Sequence, residues 1–174
     1  MLVYDNIVYM TNPNTPGSSE IPKTDATPDS PHNQIDTTGT NKAITALLQS
    51  EMITDPVDKR RLEEAMAFLE SPESKSDVAG LIKHSSNVAE VMGGYEMQGQ
   101  EAPKEIDGIN LQLTKLLCQA YIDEVKKELK VETPHQELIA HGIKMALDVA
   151  KVLSKGYKDE TYLGQVLEMQ KQIG

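Results

Sequence analysis

The residues of this sequence whose types best fit a metal site are His135, Glu137 and His141, near the start of a predicted helix. Glu137 and His141 are four residues apart and therefore share one helix face. A zinc site carried by a helix needs two histidines at that spacing, an activating glutamate and a third ligand. His135 and His141 are six residues apart and face different directions, so we predict no metal at this position.

Nucleophilic chemistry has equally little support in the sequence. The single cysteine, Cys118, lies within an apolar run that predicts burial, and a nucleophile there would need a base partner. His84 precedes Ser85 and Ser86, but the glycine spacing of a nucleophile elbow is absent. No glycine-rich loop followed by lysine offers a phosphate cradle. We therefore expect no catalytic residue and no cofactor.

The charge of the chain disfavours direct binding of nucleic acid. The formal net charge is −10, and residues 1–40 carry five acids and one lysine. A nucleic-acid-binding protein needs a basic surface. The first ten residues contain Asp5, lack a basic region and are too short for a membrane span or a signal peptide. We expect an acidic, soluble protein made in the cytoplasm.

The N-terminal segment, residues 2–10, is rich in Val, Ile and Tyr and predicts one short β-like segment. No second strand is evident in the sequence, so the backbone groups of this segment lack a partner within the chain. Our hypothesis is that the segment binds another subunit or another protein; the alternative is loose packing over its own helices. The candidate partner-binding residues of the whole N-terminal region are Leu2, Val3, Tyr4, Ile7, Val8, Tyr9, Ile21 and Ile35.

Residues 11–40 predict an extended arm. They hold five of the nine prolines, with Thr, Ser, Asn and Asp between them. Proline fixes φ, removes a hydrogen-bond donor and pushes the preceding residue toward extended geometry. The apolar content is too low to offset the entropy of ordering. An arm of this kind is expected to be held by contacts with neighbours.

From Thr40 onward the apolar residues recur with helical spacing. Asp55 and Asp159 are predicted N-caps, and residues 133–136 (Thr-Pro-His-Gln) are typical of a capping box. Gly93–Gly94 and Gly156 are predicted helix ends. The six predicted helices span about 41–53, 56–70, 72–92, 108–131, 134–153 and 160–173.

Two features of these helices bear on packing. Gly80 and Gly142 fall inside predicted helices, which indicates close helix crossings that need a missing Cβ. The wide apolar faces of the two longest predicted helices include Leu129 and Leu138, which are therefore expected in the core. Lys126, Lys127 and Lys130 gather near the end of the fourth predicted helix, and Lys151, Lys155 and Lys158 gather around the end of the fifth. Both groups suit the helix dipole or a docking patch for an acidic partner.

The predicted fold class is all-α: a bundle of five to six helices preceded by an extended, Pro/Thr/Ser-rich N-terminal arm containing one short β-like segment. The predicted organisation is an arm at 1–40 and a helical domain at 41–174. Within that domain, shorter helices at 41–92 and longer helices at 108–174 flank a linker at 93–107. Short connections predict that consecutive helices are antiparallel neighbours.

These features favour a non-enzymatic structural or assembly protein that binds protein, as a homo-oligomer or in a larger mixed assembly. By class-level analogy, small helical virion components such as phage head–tail adaptors, accessory ring proteins and ejection proteins have this organisation. Incorporation into a virion would then follow synthesis in the cytoplasm. The alternatives are a regulatory or chaperone-like binding module, such as a DNA-packaging regulator or secretion chaperone, and an enzyme with an unrecognised helical active site.

Overall fold

The computed structural model describes residues 42, 45–49 and 52–173, and these form helices joined by short turns, with no strand among them. The predicted all-α class is confirmed; the arm and its β-like segment lie outside the described residues. Residues 45–49 are helical and are called α1. The other elements are α2 (Pro56–Glu70), a 3-10 turn (Pro72–Lys75), α3 (Val78–Met97), α4 (Lys104–Glu128), α5 (Gln136–Tyr157) and α6 (Thr161–Ile173).

The predicted start of α2 is confirmed by its cap. The Asp55 carboxylate accepts hydrogen bonds from the backbone N–H groups of Val57, at 2.7 Å, and Asp58, at 3.4 Å. Pro56 occupies the first helical position, where its missing N–H costs no intrahelical hydrogen bond. Local chemistry is thus sufficient to place this helix terminus.

The predicted helix end at Gly93–Gly94 is wrong, because α3 continues through both glycines to Met97. A glycine inside a helix costs only about 1 kcal/mol relative to alanine, which tertiary contacts can offset. Here the Tyr95 hydroxyl donates a hydrogen bond to the backbone carbonyl of Met52, at 3.3 Å. The left-handed residue that follows the helix is Gly99, with φ of 68°. The connection to α4 is therefore 98–103, shorter than the predicted linker.

Both predicted cap motifs of α5 are also wrong. The helix begins at Gln136, and its N-cap residue, His135, makes no side-chain capping hydrogen bond. The Glu128 carboxylate instead accepts from the backbone N–H of His135, at 2.8 Å, and so replaces the predicted capping box. At the other end Lys158, with φ of 58°, adopts the left-handed conformation predicted for Gly156. Glu128 thus takes the place of the predicted capping box, and Lys158 takes the place of Gly156 as the left-handed residue at the helix end.

The core lies between consecutive helices, with α4 at its centre. Helix α4 packs against α3 and α5 and also meets α2 and α6. Its register with α5 is antiparallel, as predicted: Asp107 meets Tyr157 at one end, and Cys118 meets Ala146 further along. The fully buried large side chains are Leu62, Leu81, Ile106, Ile109, Leu113, Ile122, Ile139, Leu153, Val88, Val91 and Val125.

Two interior glycines permit close helix approach, as predicted. A Cβ at Gly80 would lie 2.6 Å from the Phe68 ring, and a Cβ at Gly142 would lie 2.5 Å from Val125 Cγ2. Contacts this short do not occur between real Cβ atoms and their neighbours. The α2–α3 and α4–α5 contacts therefore depend on the missing methyl groups.

Candidate functional site

The three side chains considered for a metal site are exposed on the first turns of α5. The ring of His135 is held by Glu128, since its Nδ1 atom lies 2.7 Å from a carboxylate oxygen of that residue. The part of the chain that the structure describes holds no group of three His, Cys, Asp or Glu side chains arranged to bind a metal ion. His135 therefore has a structural contact: the Glu128 carboxylate accepts hydrogen bonds from both its backbone N–H and its ring, which fixes the loop before α5.

The Cys118 thiol is fully buried and points into the α4–α5 contact. Its S–H donates to the backbone carbonyl of Ala146, at 3.6 Å. Burial raises the pKa of the Cys118 thiol to about 12, and the charge of Asp159 adds to the effect. Since the thiolate is the nucleophile, this group is unreactive near neutral pH.

A polar cluster joins the start of α4 to the end of α5. The Tyr157 hydroxyl donates a hydrogen bond to Asp107 Oδ1, at 3.0 Å, and accepts one from Asn110 Nδ2, at 3.0 Å. Burial, and then the charge of Asp107, raise the pKa of Tyr157 well above its ordinary value. The Tyr157 hydroxyl thus links two residues of α4 to the end of α5, and the cluster fixes the register of the two helices.

A second polar contact anchors the start of α6. Lys115 Nζ lies 2.8 Å from Asp159 Oδ2, and both side chains are largely buried. The other oxygen of Asp159 accepts from the backbone N–H of Thr161, at 3.1 Å, which confirms the predicted cap. The hydrogen bond from Lys115 holds the pKa of Asp159 below its ordinary value. The carboxylate therefore ties the α5–α6 turn to α4.

Sequence reasoning missed both clusters. Asp107, Asn110 and Lys115 interrupt the apolar pattern of α4 as polar residues near its buried face. That interruption is a usable signal, because polar groups close to a core need partners. Their partners, Tyr157 and Asp159, lie more than forty residues away, and sequence spacing alone does not identify them.

His84 is buried between α2 and α3 rather than set beside a nucleophile. Its ring stacks on Phe68 with centroids 4.6 Å apart, and burial is the main cause that lowers its pKa.

Three buried polar atoms have no hydrogen-bond partner among the described residues: His84 Nδ1, Ser85 Oγ and Gln112 Oε1. Ordered water is the usual partner of such atoms.

The exposed end of the α4–α5 hairpin is the strongest candidate for an interaction surface. Leu129 and Leu138 were predicted in the core, but they are 41% and 58% exposed, and Val131 between them is 44% exposed. We call these three residues the hairpin-end surface. The apolar stripe of the two helices is therefore longer than the part that other helices cover.

Three lysines, Lys126, Lys127 and Lys130, flank this surface on the last turn of α4 and just beyond it. All three are exposed, and within the described ranges none forms an ion pair, in contrast to Lys115 and Lys151. The lysines are interspersed with exposed acids, Asp123, Glu124, Glu132 and Glu137, so the charge at this end of the hairpin is mixed.

The predicted partner-binding residues of the N-terminal region all lie outside the described residues: Leu2, Val3, Tyr4, Ile7, Val8, Tyr9, Ile21 and Ile35. Their assignment stays a prediction. Among the helices that the structure describes, none combines the length and apolar character that crossing a lipid bilayer requires. Comparison with protein-family models, with curated proteins and with solved structures finds no match to this chain.

Proposed function

We propose that this chain is a non-enzymatic structural or assembly protein whose N-terminal region binds neighbouring subunits. The observation that carries the proposal is the composition of residues 1–40. An apolar segment rich in Val, Ile and Tyr is followed by about thirty polar residues with five prolines. Such a region cannot form a core alone, and it gains apolar burial only against another surface. A helical virion component is the more specific form of this proposal.

The chemistry of the helical unit supports a non-enzymatic role. Cys118, Tyr157 and Asp159 all make internal contacts that hold α4, α5 and α6 together. The thiol is protonated at neutral pH, and the hydroxyl is held by a carboxylate. Each of these groups therefore serves packing, and a catalytic task would require it to leave its partner.

A second candidate is a chaperone-like or regulatory binding module. The exposed Leu129 and Leu138 favour it, because an apolar strip beside exposed charged residues suits an amphipathic client segment. In that case the chain would be a monomer or dimer, and the N-terminal region would bind only with its client.

Size-exclusion chromatography with light scattering tests the proposal, using the full chain and a shortened chain that begins at Asp36. The shortened chain keeps the compact unit Asp36–Gly174 and every core residue that the structure describes as buried. We expect a defined oligomer for the full chain and a monomer for the shortened one. If both are monomers, self-assembly through the N-terminal region is wrong, and the second candidate is favoured.

A further inference from the structure

We propose that the hairpin-end surface, formed by Leu129, Val131 and Leu138, binds residues 2–10 of a second copy of this chain. The inference rests on the proposed function and specifies the surface of the neighbouring subunit that the N-terminal region binds. A protein of this size can expose single apolar side chains without consequence. Three at one end of a helix hairpin, two of them continuing buried stripes, form a surface that a partner can cover.

The three side chains are close to each other because of the hairpin register. The contacts Asp107–Tyr157, Cys118–Ala146 and Val125–Gly142 follow one another along α4 and α5. Continued by one turn, the same register sets Leu129 level with residues 135–138. The Glu128 carboxylate holds the connecting loop, because it accepts hydrogen bonds from the backbone N–H and from the ring Nδ1 of His135. The surface is therefore preformed, which lowers the entropic cost of binding.

The chemistry of the N-terminal segment fits this surface. Residues 2–10 supply Leu, Val, Ile and Tyr side chains for apolar contact. Residues 2–10 carry one charge, that of Asp5, and the same end of the hairpin exposes acids (Asp123, Glu124, Glu132 and Glu137) as well as Lys126, Lys127 and Lys130. The fit of the segment to the surface is therefore mainly apolar, and Asp5 can pair with one of the lysines.

The alternative of two hairpin ends packing on each other about a two-fold axis is less favourable. It would cover the three apolar side chains but would give the apolar residues 2–10 no surface to bind. The reach of the N-terminal region also suits a second copy. About thirty extended residues span on the order of 90–100 Å, which exceeds the diameter of a domain of this size.

Photo-cross-linking in the full chain tests the contact directly. A photoreactive amino acid replaces Leu129, and the matched control places it at Leu167, which is also 41% exposed. Each variant is mixed with a heavy-isotope-labelled copy that lacks the photoreactive group. We expect position 129 to cross-link to peptides from residues 1–23 of the heavy copy. Cross-links to another segment, cross-links within one copy only, or a yield equal to that of position 167 would overturn the inference.

Substitution gives an independent test and separates this inference from the proposed function. We expect Leu138→Gln to weaken self-association of the full chain roughly tenfold, as truncation of a central apolar contact does. Leu167→Gln should leave it unchanged. If the shortened chain loses self-association while Leu138→Gln keeps it, the proposed function stands and the hairpin-end surface is the wrong receiver. A full chain that stays monomeric at every concentration overturns both.

Discussion

Val125 lies against Gly142 where α4 and α5 cross, and a Cβ at position 142 would stand 2.5 Å from Val125 Cγ2. Val125 is buried, and its β-branched side chain is stiff at χ1. We expect Gly142→Ala to lower the free energy of unfolding by about 1–3 kcal/mol, the usual cost of overpacking a core. This loss should exceed the gain in helix propensity, about 1 kcal/mol. Urea unfolding followed by circular dichroism measures the change.

The matched control for this prediction is Gly156→Ala in the same helix. No atom lies within 4 Å of a Cβ built at Gly156. Helix propensity alone should then raise the free energy of unfolding by up to about 1 kcal/mol. Equal effects of the two substitutions would show that α4 and α5 do not approach as described.

Tyr157→Phe should remove the two hydrogen bonds that join α5 to Asp107 and Asn110. We expect a loss of roughly 0.5–1.5 kcal/mol in the free energy of unfolding at neutral pH, because water can reach the half-buried partners. A double-mutant cycle with Asp107→Ala should show that most of this loss is shared between the two residues.

Comparison of the original chain with Tyr157→Phe also gives a prediction for the pH dependence of stability. The pKa of Tyr157 in the folded chain lies above its ordinary value of 10.0. Its contribution to stability is therefore complete below pH 10 and is lost as pH rises, because the unfolded state ionises first. The difference in stability between the original chain and Tyr157→Phe should shrink above pH 10. A difference that stays constant would contradict the assigned pKa direction.

Lys115→Met should loosen α6. Lys115 is the α4 residue that holds Asp159, and α6 has only Val166 fully buried. Native-state hydrogen exchange should show faster exchange in α6, by roughly fivefold for a loss of about 1 kcal/mol. Lys171→Met is the control, since its contact with Glu168 is long and exposed. Similar exchange in both variants would remove the anchoring role of Lys115.

Acid should abolish the difference between Lys115→Met and the original chain. The pKa of Asp159 is lowered in the folded state, chiefly by the hydrogen bond from Lys115. The corresponding stability is present above the ordinary value of 3.8 and is lost as pH falls through the folded-state pKa. Thermal unfolding of both proteins between neutral and acidic pH measures this convergence.

Cys118 should react with a thiol reagent only when the chain opens. The thiol is fully buried, and its pKa of about 12 leaves it protonated. In native buffer the labelling rate should follow the rate or the population of unfolding. The same protein in guanidinium chloride should react completely and at once. Rapid labelling of the native protein would show an accessible thiol and would reopen the question of an enzyme.

Features with local causes were predictable from the sequence. Asp55 and Asp159 cap the helices that follow them, because an N-cap needs only a side chain and the next few N–H groups. Gly80 and Gly142 marked close approaches, because a glycine inside an apolar helix needs a packing reason. The helical class followed from the spacing of apolar residues.

Features that depend on distant residues were not predictable. Glu128 replaced the expected capping box of α5, and Tyr95 lies on the turn of α3 that was predicted to be absent. Leu129 and Leu138 carry the same periodic pattern as the core, yet no helix among the described residues covers them. Periodicity reports which face of a helix is apolar, and only the lengths of the neighbouring helices decide how much of that face is covered.

The central claim, that residues 2–10 bind another copy, is tested most directly by sedimentation of the full chain over a range of concentrations. The comparison is a full-length variant with Ile7→Ser and Val8→Ser, which keeps the length and the charge of the N-terminal region. We predict an oligomer for the original chain and dissociation toward monomer for the variant. The same oligomer for both, or a monomer for the original chain, would contradict the claim.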